Sequence, residues 1–258
     1  MSELIRTFDL MNGEGESYTL TVAYKYNGFL STASGLGFNK SPKYQKIGNE
    51  YEELTSDINQ STIDGEIRFF NSHAYQAFSR FALFCQSPKM TLYYRIPTGL
   101  FKKDGSITKI EKSEGGDNLK CKIQFTATTL WYKEFELDTS GNTMSISSDS
   151  VVESPCHIKF TPTNTITALS WSQSLDNNVI VTGTLNNISV SPSESLHIRT
   201  DTNPYQIYKI SNGSKVDLYS KSDFSTSRFI LLEKGLNVIT FSTVGNIEIE
   251  GKTLYETV

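Results

Sequence analysis

Side chains that could carry out chemistry are few in this sequence and lie far apart. The chain has three histidines, His73, His157 and His197. None lies in an HExxH motif, and none has a second histidine or cysteine at the spacing that a zinc site needs. We therefore predict that His73 lies in the first turn of a helix, that the other two are face positions of strands, and that none binds a metal.

The cysteines give no sign of redox or disulfide chemistry. Cys85, Cys121 and Cys156 form no CxxC motif, and an odd number of cysteines argues against a disulfide framework. Each lies in an apolar or strand-like setting, where a cysteine usually serves as a small buried hydrophobic residue. We expect reduced thiols and a protein that folds in a reducing cytoplasm.

Motifs for nucleophilic catalysis or phosphate binding are missing as well. The sequence contains no GxSxG elbow, no GxxxxGK[ST] loop and no strand followed by GxGxxG. Glu50, Glu52 and Glu53 cluster in a polar stretch, but glycosidases need two carboxylates roughly 5–10 Å apart across a cleft, and sequence neighbours in a loop do not indicate one. We predict a solvated acidic loop, no catalytic residue, no cofactor and no enzymatic activity.

The two tryptophans leave one binding function open. Exposed aromatic rings are how lectin-like sandwiches hold sugars, and both Trp131 and Trp171 end probable strands. Packing in a core or at a domain junction is the favoured interpretation for Trp131, and packing in a core is the favoured interpretation for Trp171. A carbohydrate-binding protein that uses Trp171 remains the alternative hypothesis.

Bulk properties exclude several classes of protein. The 258 residues carry a formal net charge of −4, and no basic stripe is visible, which argues against a protein that binds duplex DNA. The first six residues lack the apolar run of a signal peptide, and no later stretch is apolar enough to span a bilayer. Aromatic residues make up 12% of the chain, which favours strands over helices.

The first half predicts strands around one helix. Leu20, Val22, Tyr24 and Tyr26 alternate with polar residues, as in a strand with one buried face. Asn71 and Ser72 are suitable N-caps for a helix that ends near Ser87–Pro88. Its predicted apolar stripe consists of Tyr75, Phe78, Phe81, Ala82 and Cys85.

The rest of the first half predicts one irregular segment and three further strands. Between Gly37 and Asp64–Gly65 the sequence is polar and irregular, and we predict a long excursion with at most short strands. This segment is a candidate interface, because compact domains rarely keep such loops. Strands are predicted at Met90–Ile96, Ile107–Lys112 and Leu119–Ala127, with a hairpin turn at Asp104–Gly105.

The second half predicts a β-sandwich. The chain after Trp131 is rich in Ser, Thr, Asp, Asn and Gly up to Ser150, which is typical of a linker. Short strands with close turns follow, including segments at Arg228–Leu232, Asn237–Ser242 and Ile247–Glu250 and a hairpin turn at Asn212–Gly213. We predict a mainly β protein with an α+β domain over residues 1–135 and a sandwich over residues 136–258, whose last few residues return to the first domain or stay with the second.

The order of these elements resembles a known family. The segments that carry the likeness are Gly65–Phe70, Ala74–Phe81, Met90–Pro97, Ile123–Tyr132, Tyr205–Gly213 and Leu232–Phe241. The last of these is similar to a closing hairpin of the form L-x-K-G-x-N-x-I-x-F. The chain resembles the distal tail proteins of phages with long non-contractile tails that infect Gram-positive bacteria.

This resemblance implies a structural role. Residues 1–135 would be a belt domain, a β-sandwich with one helix, and residues 136–258 a galectin-like sandwich. Six copies would form a ring at the tail tip, in the virion, after assembly in the host cytoplasm. The ring would join the tail tube to the hub or lysin and anchor receptor-binding or baseplate proteins, with DNA only in transit and no membrane insertion.

Overall fold

The computed structural model describes residues 6–20, 28–37, 40–47, 49–70, 72–115 and 118–257. The chain forms two compact units, one of residues 1–132 with 255–258 and one of residues 133–254. The described part is mainly β with a single α-helix, which confirms the predicted fold class. No helix within it is long and apolar enough to cross a membrane.

The first unit is an antiparallel sheet with a helix against its apolar face. The elements are β1 (Thr7–Asn12), β2 (Ser17–Thr19), β3 (Phe29–Ser34), β4 (Lys40–Ile47), β5 (Glu50–Ile58), β6 (Thr62–Phe69), α1 (Ala74–Phe84), β7 (Met90–Ile96), β8 (Gly99–Gly115) and β9 (Asn118–Ala127). The order of the strands in the sheet is β3-β6-β9-β8-β7-β1-β2, and a separate two-stranded sheet consists of β4 and β5.

Helix α1 packs through Phe81, whose ring centroid lies 5.0 Å from that of Tyr18 and 6.0 Å from that of Phe69. The predicted stripe is partly wrong, because Tyr75 is 59% exposed, whereas Ala74 and Ala77 are buried. The small alanines let the helix approach the sheet, and the Tyr75 ring lies instead beside Lys112, 4.8 Å from its Nζ.

The ends of the helix also differ from the prediction. The N-cap is His73, which makes no side-chain capping hydrogen bond, and the C-cap is Cys85. His73 is therefore the residue before the first turn rather than part of it. Asn71, like most of the predicted strand with Val22, Tyr24 and Tyr26, lies outside the described residues.

The predicted turn at Asp104–Gly105 is wrong, because both residues lie inside the 17-residue strand β8. Gly105 pairs with Met90 on one side and with Ala127 on the other. A Cβ atom there would lie 2.7 Å from the Phe125 ring, so close packing, and not positive φ, requires the glycine.

The predicted linker after Trp131 is also wrong, because β10 (Trp131–Ser148) is one long strand. Much of it is exposed, so its polar composition is compatible with a strand. The second unit continues with β11 (Cys156–Pro162), β12 (Ile166–Leu175), β13 (Asn178–Val190), β14 (Ser195–Arg199), β15 (Gln206–Ser211), β16 (Ser214–Asp217), a short 3-10 helix (Tyr219–Lys221) and β17 (Gly235–Tyr255).

The second unit is a sandwich in which β17 takes part in both layers. Its first half pairs with β12, which pairs with β13, and its second half pairs with β11. From β11 the sheet continues through β14 and β15 to β16. Alternate residues of both layers form one apolar core, which includes Trp171, Phe160, Phe241, Leu185 and Ile198.

Two predictions of short strands need correction. Asn237–Ser242 and Ile247–Glu250 belong to the single 21-residue strand β17. Arg228–Leu232 is not a named strand, and Leu232 forms only an isolated bridge with Ser154. The turn at Asn212–Gly213 is confirmed, because both residues have positive φ and Ser211 pairs with Ser214.

Candidate functional site

The structure brings together two histidines that the sequence had not linked. His157 lies on β11 and His197 on the adjacent β14, on the face of the sheet opposite the core. His157 Nε2 is 2.8 Å from His197 Nδ1, and the rings stack with their centroids 5.1 Å apart. Their 40-residue separation in the sequence hides this contact, which depends on the pairing of β11 with β14.

The histidine pair continues on both sides into a chain of polar contacts. Ser195 Oγ is 2.8 Å from His197 Nε2, and His157 Nδ1 is 3.6 Å from Glu250 Oε2. One set of tautomers satisfies the three contacts: Ser195 donates to His197, His197 Nδ1–H donates to His157, and His157 Nδ1–H points toward the Glu250 carboxylate.

Neighbouring side chains hold this row of polar contacts in place on the sheet. Tyr208 stacks on His197 with centroids 4.7 Å apart, and Lys215 Nζ lies 4.1 Å from the Tyr208 centroid. On the other side, Lys159 donates to both carboxylate oxygens of Glu248 at 2.9 Å. Five adjacent strands thus form one cross-strand ladder of polar and aromatic side chains, which we call the histidine ladder.

The histidine ladder keeps its imidazoles neutral. Burial lowers the pKa of His197 to about 4, and the nearby charges of His157, Lys159 and Arg199 add to this effect. Burial also lowers the pKa of His157, with a further contribution from Arg199. Because the two rings share one hydrogen bond, protonation of both rings would remove it and place two cations in contact.

The row of Ser195, His197, His157 and Glu250 resembles a serine–histidine–carboxylate arrangement, but its surroundings do not suit catalysis. A serine nucleophile needs free backbone amides beside it to hold the developing oxyanion. Strand β14 is paired on both edges, with β11 and β15, so its amides are directed into the sheet ladder. The arrangement is therefore better explained as packing of a polar sheet face.

A groove of about 520 Å³ in the second unit adjoins Glu250 and contains several carboxylates. It is lined by Glu134, Phe135, Glu136, Pro155, Asp201, Glu250, Gly251 and Lys252. A general acid would need a raised carboxyl pKa. Although burial alone would raise the pKa of Asp201, hydrogen bonds from Arg199 at 2.6 and 2.9 Å bring it below its usual value.

Neither tryptophan is available to a sugar. Trp131 is 0% and Trp171 is 2% exposed, so both lie in the cores of their units, which was the favoured interpretation. The Trp171 indole N–H donates to the carbonyl of Arg228 at 3.1 Å. A Cβ atom at Gly183 would lie 2.1 Å from the Trp171 ring, so the ring packs directly on the backbone of β13.

The cysteines are buried and far from reactive. Burial raises the pKa values of Cys85 and Cys156 to about 12 and that of Cys121 to about 11. Among the described residues, no group of three or more histidine, cysteine, aspartate and glutamate side chains is arranged to hold a metal ion.

The predicted irregular excursion contains a regular hairpin, so the prediction of at most short strands is wrong. The β4–β5 hairpin pairs Lys40 with Ile58 at its base and Ile47 with Glu50 at its tip. The side chains described at 40–46 and 49–52 are all exposed, and Tyr44 and Tyr51 are 56% and 70% exposed. Lys40 Nζ lies 3.0 Å from Glu256 Oε1 and ties the base to the end of the chain.

Comparison with known proteins gives a match for the first unit. Residues 7–128 match the family model of the distal tail protein, N-terminal domain. This part of the chain is a distal tail protein domain. The resemblance inferred from the sequence is confirmed, and no curated protein matches the chain.

Solved structures share the fold of nearly the whole chain. The Dit protein of phage SPP1, described as a hub of the adsorption apparatus in phages that infect Gram-positive bacteria, is 11% identical with a TM-score of 0.74, and the match covers 96% of this chain and 99% of that one. A protein of the phage P2 baseplate is 16% identical with a TM-score of 0.64, covering 99% and 100%.

The matched domain defines the role of the chain in broad terms. It is a structural component of a phage tail and belongs to the virion. The family is a structural one, which agrees with the lack of catalytic surroundings in the histidine ladder.

Proposed function

We propose that the chain forms a hexameric ring at the tip of a long, non-contractile phage tail. Residues 1–135 act as the belt domain that closes the ring, and residues 136–258 as an outer galectin-like domain, with the last residues returning to the belt. The match of residues 7–128 to the distal tail N-terminal domain is the observation that carries this proposal.

A ring of identical subunits needs two different, complementary surfaces on each copy. The exposed β4–β5 hairpin is suitable material for such contacts. A two-stranded hairpin is at best marginally stable alone in water, so a neighbour that covers it would stabilise it. The net charge of −4 favours a channel through which DNA passes without binding.

The proposed partners are the proteins that adjoin the ring in a tail tip. One face of the ring contacts the tail tube, and the other contacts the tail-associated hub or lysin. The outer domain anchors receptor-binding or baseplate proteins. The ring assembles in the cytoplasm of a Gram-positive host and is not a membrane protein.

The alternative hypothesis of carbohydrate binding is not supported at Trp171, the residue that it named. Trp171 is buried, so Trp171→Ala would disrupt the core of the second unit rather than remove an exposed sugar platform. No other described feature favours this alternative enough to propose it.

Labelling of intact virions tests the proposal. An antibody against the second unit should decorate the tail tip, between the tube and the adsorption apparatus, in electron micrographs. The purified chain should also co-sediment with tail tube protein. Label along the whole tube or on the capsid, with no binding to the tube, would contradict a role at the tail tip.

A further inference from the structure

The groove beside Glu250 in the second unit combines an apolar wall with an acidic rim. Phe135, Pro155 and Gly251 form the apolar wall, and both Phe135 and Pro155 are half-buried. A Cβ atom at Gly251 would lie 2.6 Å from the Phe135 ring, so the ring lies directly against the backbone of β17. The absence of a side chain at Gly251 thus leaves the Phe135 ring accessible from the groove.

Two carboxylates on the rim are not neutralised within the chain. The exposed Glu136 carboxylate has no ion pair or hydrogen bond in the part of the chain that the structure describes. The Glu250 side chain is 65% exposed, and the nitrogen that it approaches is Nδ1 of His157, at 3.6 Å. Burial lowers the pKa of His157, so this imidazole is neutral at pH 7 and does not compensate the charge.

The other charged side chains of the groove have partners. Asp201 accepts two hydrogen bonds from Arg199, at 2.6 and 2.9 Å. Glu134 and Lys252 also line the groove, and each has interactions of its own. The four carboxylates of the lining thus outnumber the two cations beside them, Arg199 and Lys252, and the groove favours a positively charged occupant.

We propose that this groove binds a lysine or arginine side chain from a basic segment of a partner protein. Such side chains lay an apolar stem along apolar surface and keep a cationic head at a polar site. The stem would lie against Phe135, where a cation near the ring is also attracted, and the head would meet Glu136 and Glu250. This inference rests on the proposed function and names the chemistry by which the outer domain anchors a baseplate or receptor-binding protein.

Other occupants match the groove less well. A metal ion would need more ligands, and no group of three is arranged for one among the described residues. A nucleic acid would bring phosphates to the carboxylates, and a purely apolar segment would bury them without a partner. The volume of about 520 Å³ lies in the range of roughly 300–1,000 Å³ that suits small groups, so it suits one or two side chains rather than a folded domain.

Removal of the two rim charges tests the proposal on the full chain. The probe is a fluorescein-labelled Gly-Arg-Leu-Arg-Gly peptide, and fluorescence anisotropy at low salt measures its binding. Glu136→Gln/Glu250→Gln should weaken binding by about fivefold, the effect of two solvent-exposed ion pairs. The matched control is Asp176→Asn/Asp217→Asn, which removes the same charge from exposed positions outside the groove and should bind the probe like the wild type.

Two outcomes of this experiment would overturn the proposal. Equal weakening in both variants would show that the probe responds only to the net charge of the chain. No binding by the wild type at low salt would show that the groove does not hold a basic segment. All the substitutions replace exposed carboxylates with amides of the same shape, so loss of the fold does not confuse the result.

A second set of probes tests the apolar wall and the kind of ligand. A lysine version of the peptide should bind more tightly than a version with 2,3-diaminopropionate, which keeps the ammonium group but lacks most of the methylene stem. Equal affinities would contradict the contact with Phe135. Spermidine carries ammonium groups on methylene stems without a peptide, and tighter binding of spermidine than of the peptide would contradict a protein partner.

The outcomes separate this inference from the proposed function. If virion labelling places the second unit at the tail tip and Glu136→Gln/Glu250→Gln binds the probe like the wild type, the groove assignment is wrong and the role at the tail tip stands. If the label lies elsewhere and this variant alone loses the probe, the groove binds cationic side chains and the role at the tail tip is wrong.

Discussion

His157 Nε2 lies 2.8 Å from His197 Nδ1 in the second unit, within a face of polar side chains that spans five strands. Burial lowers the pKa values of both histidines, so the folded state favours neutral rings. The unfolded chain has no such preference, so the pair links the stability of the second unit to pH.

The stability of the second unit should fall between pH 6.5 and about 4. In this window the unfolded His197, with its ordinary pKa of 6.5, binds a proton, whereas in the folded state the pKa is about 4. The contribution is present above pH 6.5 and is lost as the pH falls, by roughly 2–3 kcal/mol. The groups that face His197 are His157, Lys159, Tyr208, Arg199 and Glu248.

Urea unfolding in a Trp131→Phe background, followed by the fluorescence of Trp171, measures this effect. His197→Gln should unfold with a smaller loss of stability between pH 7 and pH 4.5 than the protein with His197. Equal losses in the two proteins would mean that carboxylates, and not the histidine pair, determine the acid sensitivity.

A serine-directed fluorophosphonate probe should not modify Ser195. Although Ser195 Oγ lies 2.8 Å from His197 Nε2, the amides of β14 are paired on both edges and leave no oxyanion site. Mass spectrometry of the treated protein should show no adduct on this residue. An adduct that disappears in His197→Gln would contradict the structural interpretation of the histidine ladder.

Lys103→Met should stabilise the first unit at pH 7 by about 1–2 kcal/mol. Lys103 is 1% exposed, with its Nζ 5.0 Å from the centroid of Trp131, and burial lowers its pKa to about 8. Below pH 8 the buried charge destabilises the fold in full, and between pH 8 and 10.5 the folded state loses the proton first, so stability rises with pH. The attraction to Trp131 offsets part of this penalty.

The gain from Lys103→Met should therefore shrink as the pH rises toward 10. Urea unfolding in a Trp171→Phe background, with Trp131 as the probe, gives the comparison. Lys109→Met, at an exposed position of the same strand, should change stability by less than about 0.5 kcal/mol. A Lys103→Met protein that is less stable at pH 7 would show that the contact with Trp131 outweighs the cost of burial.

Gly105→Ala should destabilise the first unit by about 1–3 kcal/mol, because the new methyl group would meet the Phe125 ring at 2.7 Å and the Thr126 carbonyl oxygen at 2.3 Å. Gly115→Ala is a matched control in the same strand, since nothing lies within 4 Å of a Cβ atom there. Thermal unfolding of both variants measures the difference. Equal melting temperatures would disprove the close packing at Gly105.

Local sequence patterns correctly predicted the elements whose residue types suit the burial and backbone conformation of their positions. Met90–Ile96 is β7 with the predicted bounds, because its apolar residues alternate and its buried face is regular. The Asn212–Gly213 turn needs positive φ at both residues, and asparagine and glycine adopt it readily. The family resemblance was also readable, since it depends on the order of such elements.

Elsewhere, pairing between strands that are distant in the sequence determined the structure, and the local sequence pattern predicted it wrongly or not at all. Asp104–Gly105 has the composition of a turn, but Gly105 is needed where β7 and β9 flank β8. Strand β10 has the composition of a linker, because much of it is exposed and polar residues are tolerated there. The histidine pair could not be predicted, since it exists only through the register of β11 with β14.

We propose that the chain assembles as a closed ring of six. Multi-angle light scattering of the purified wild type, with electron micrographs of the same fractions, measures this assembly. A mass near six times the 28.9 kDa chain, with ring-shaped particles of six-fold symmetry, is the predicted result. A single-chain mass at every concentration and salt level, unchanged by tail tube protein, would contradict it.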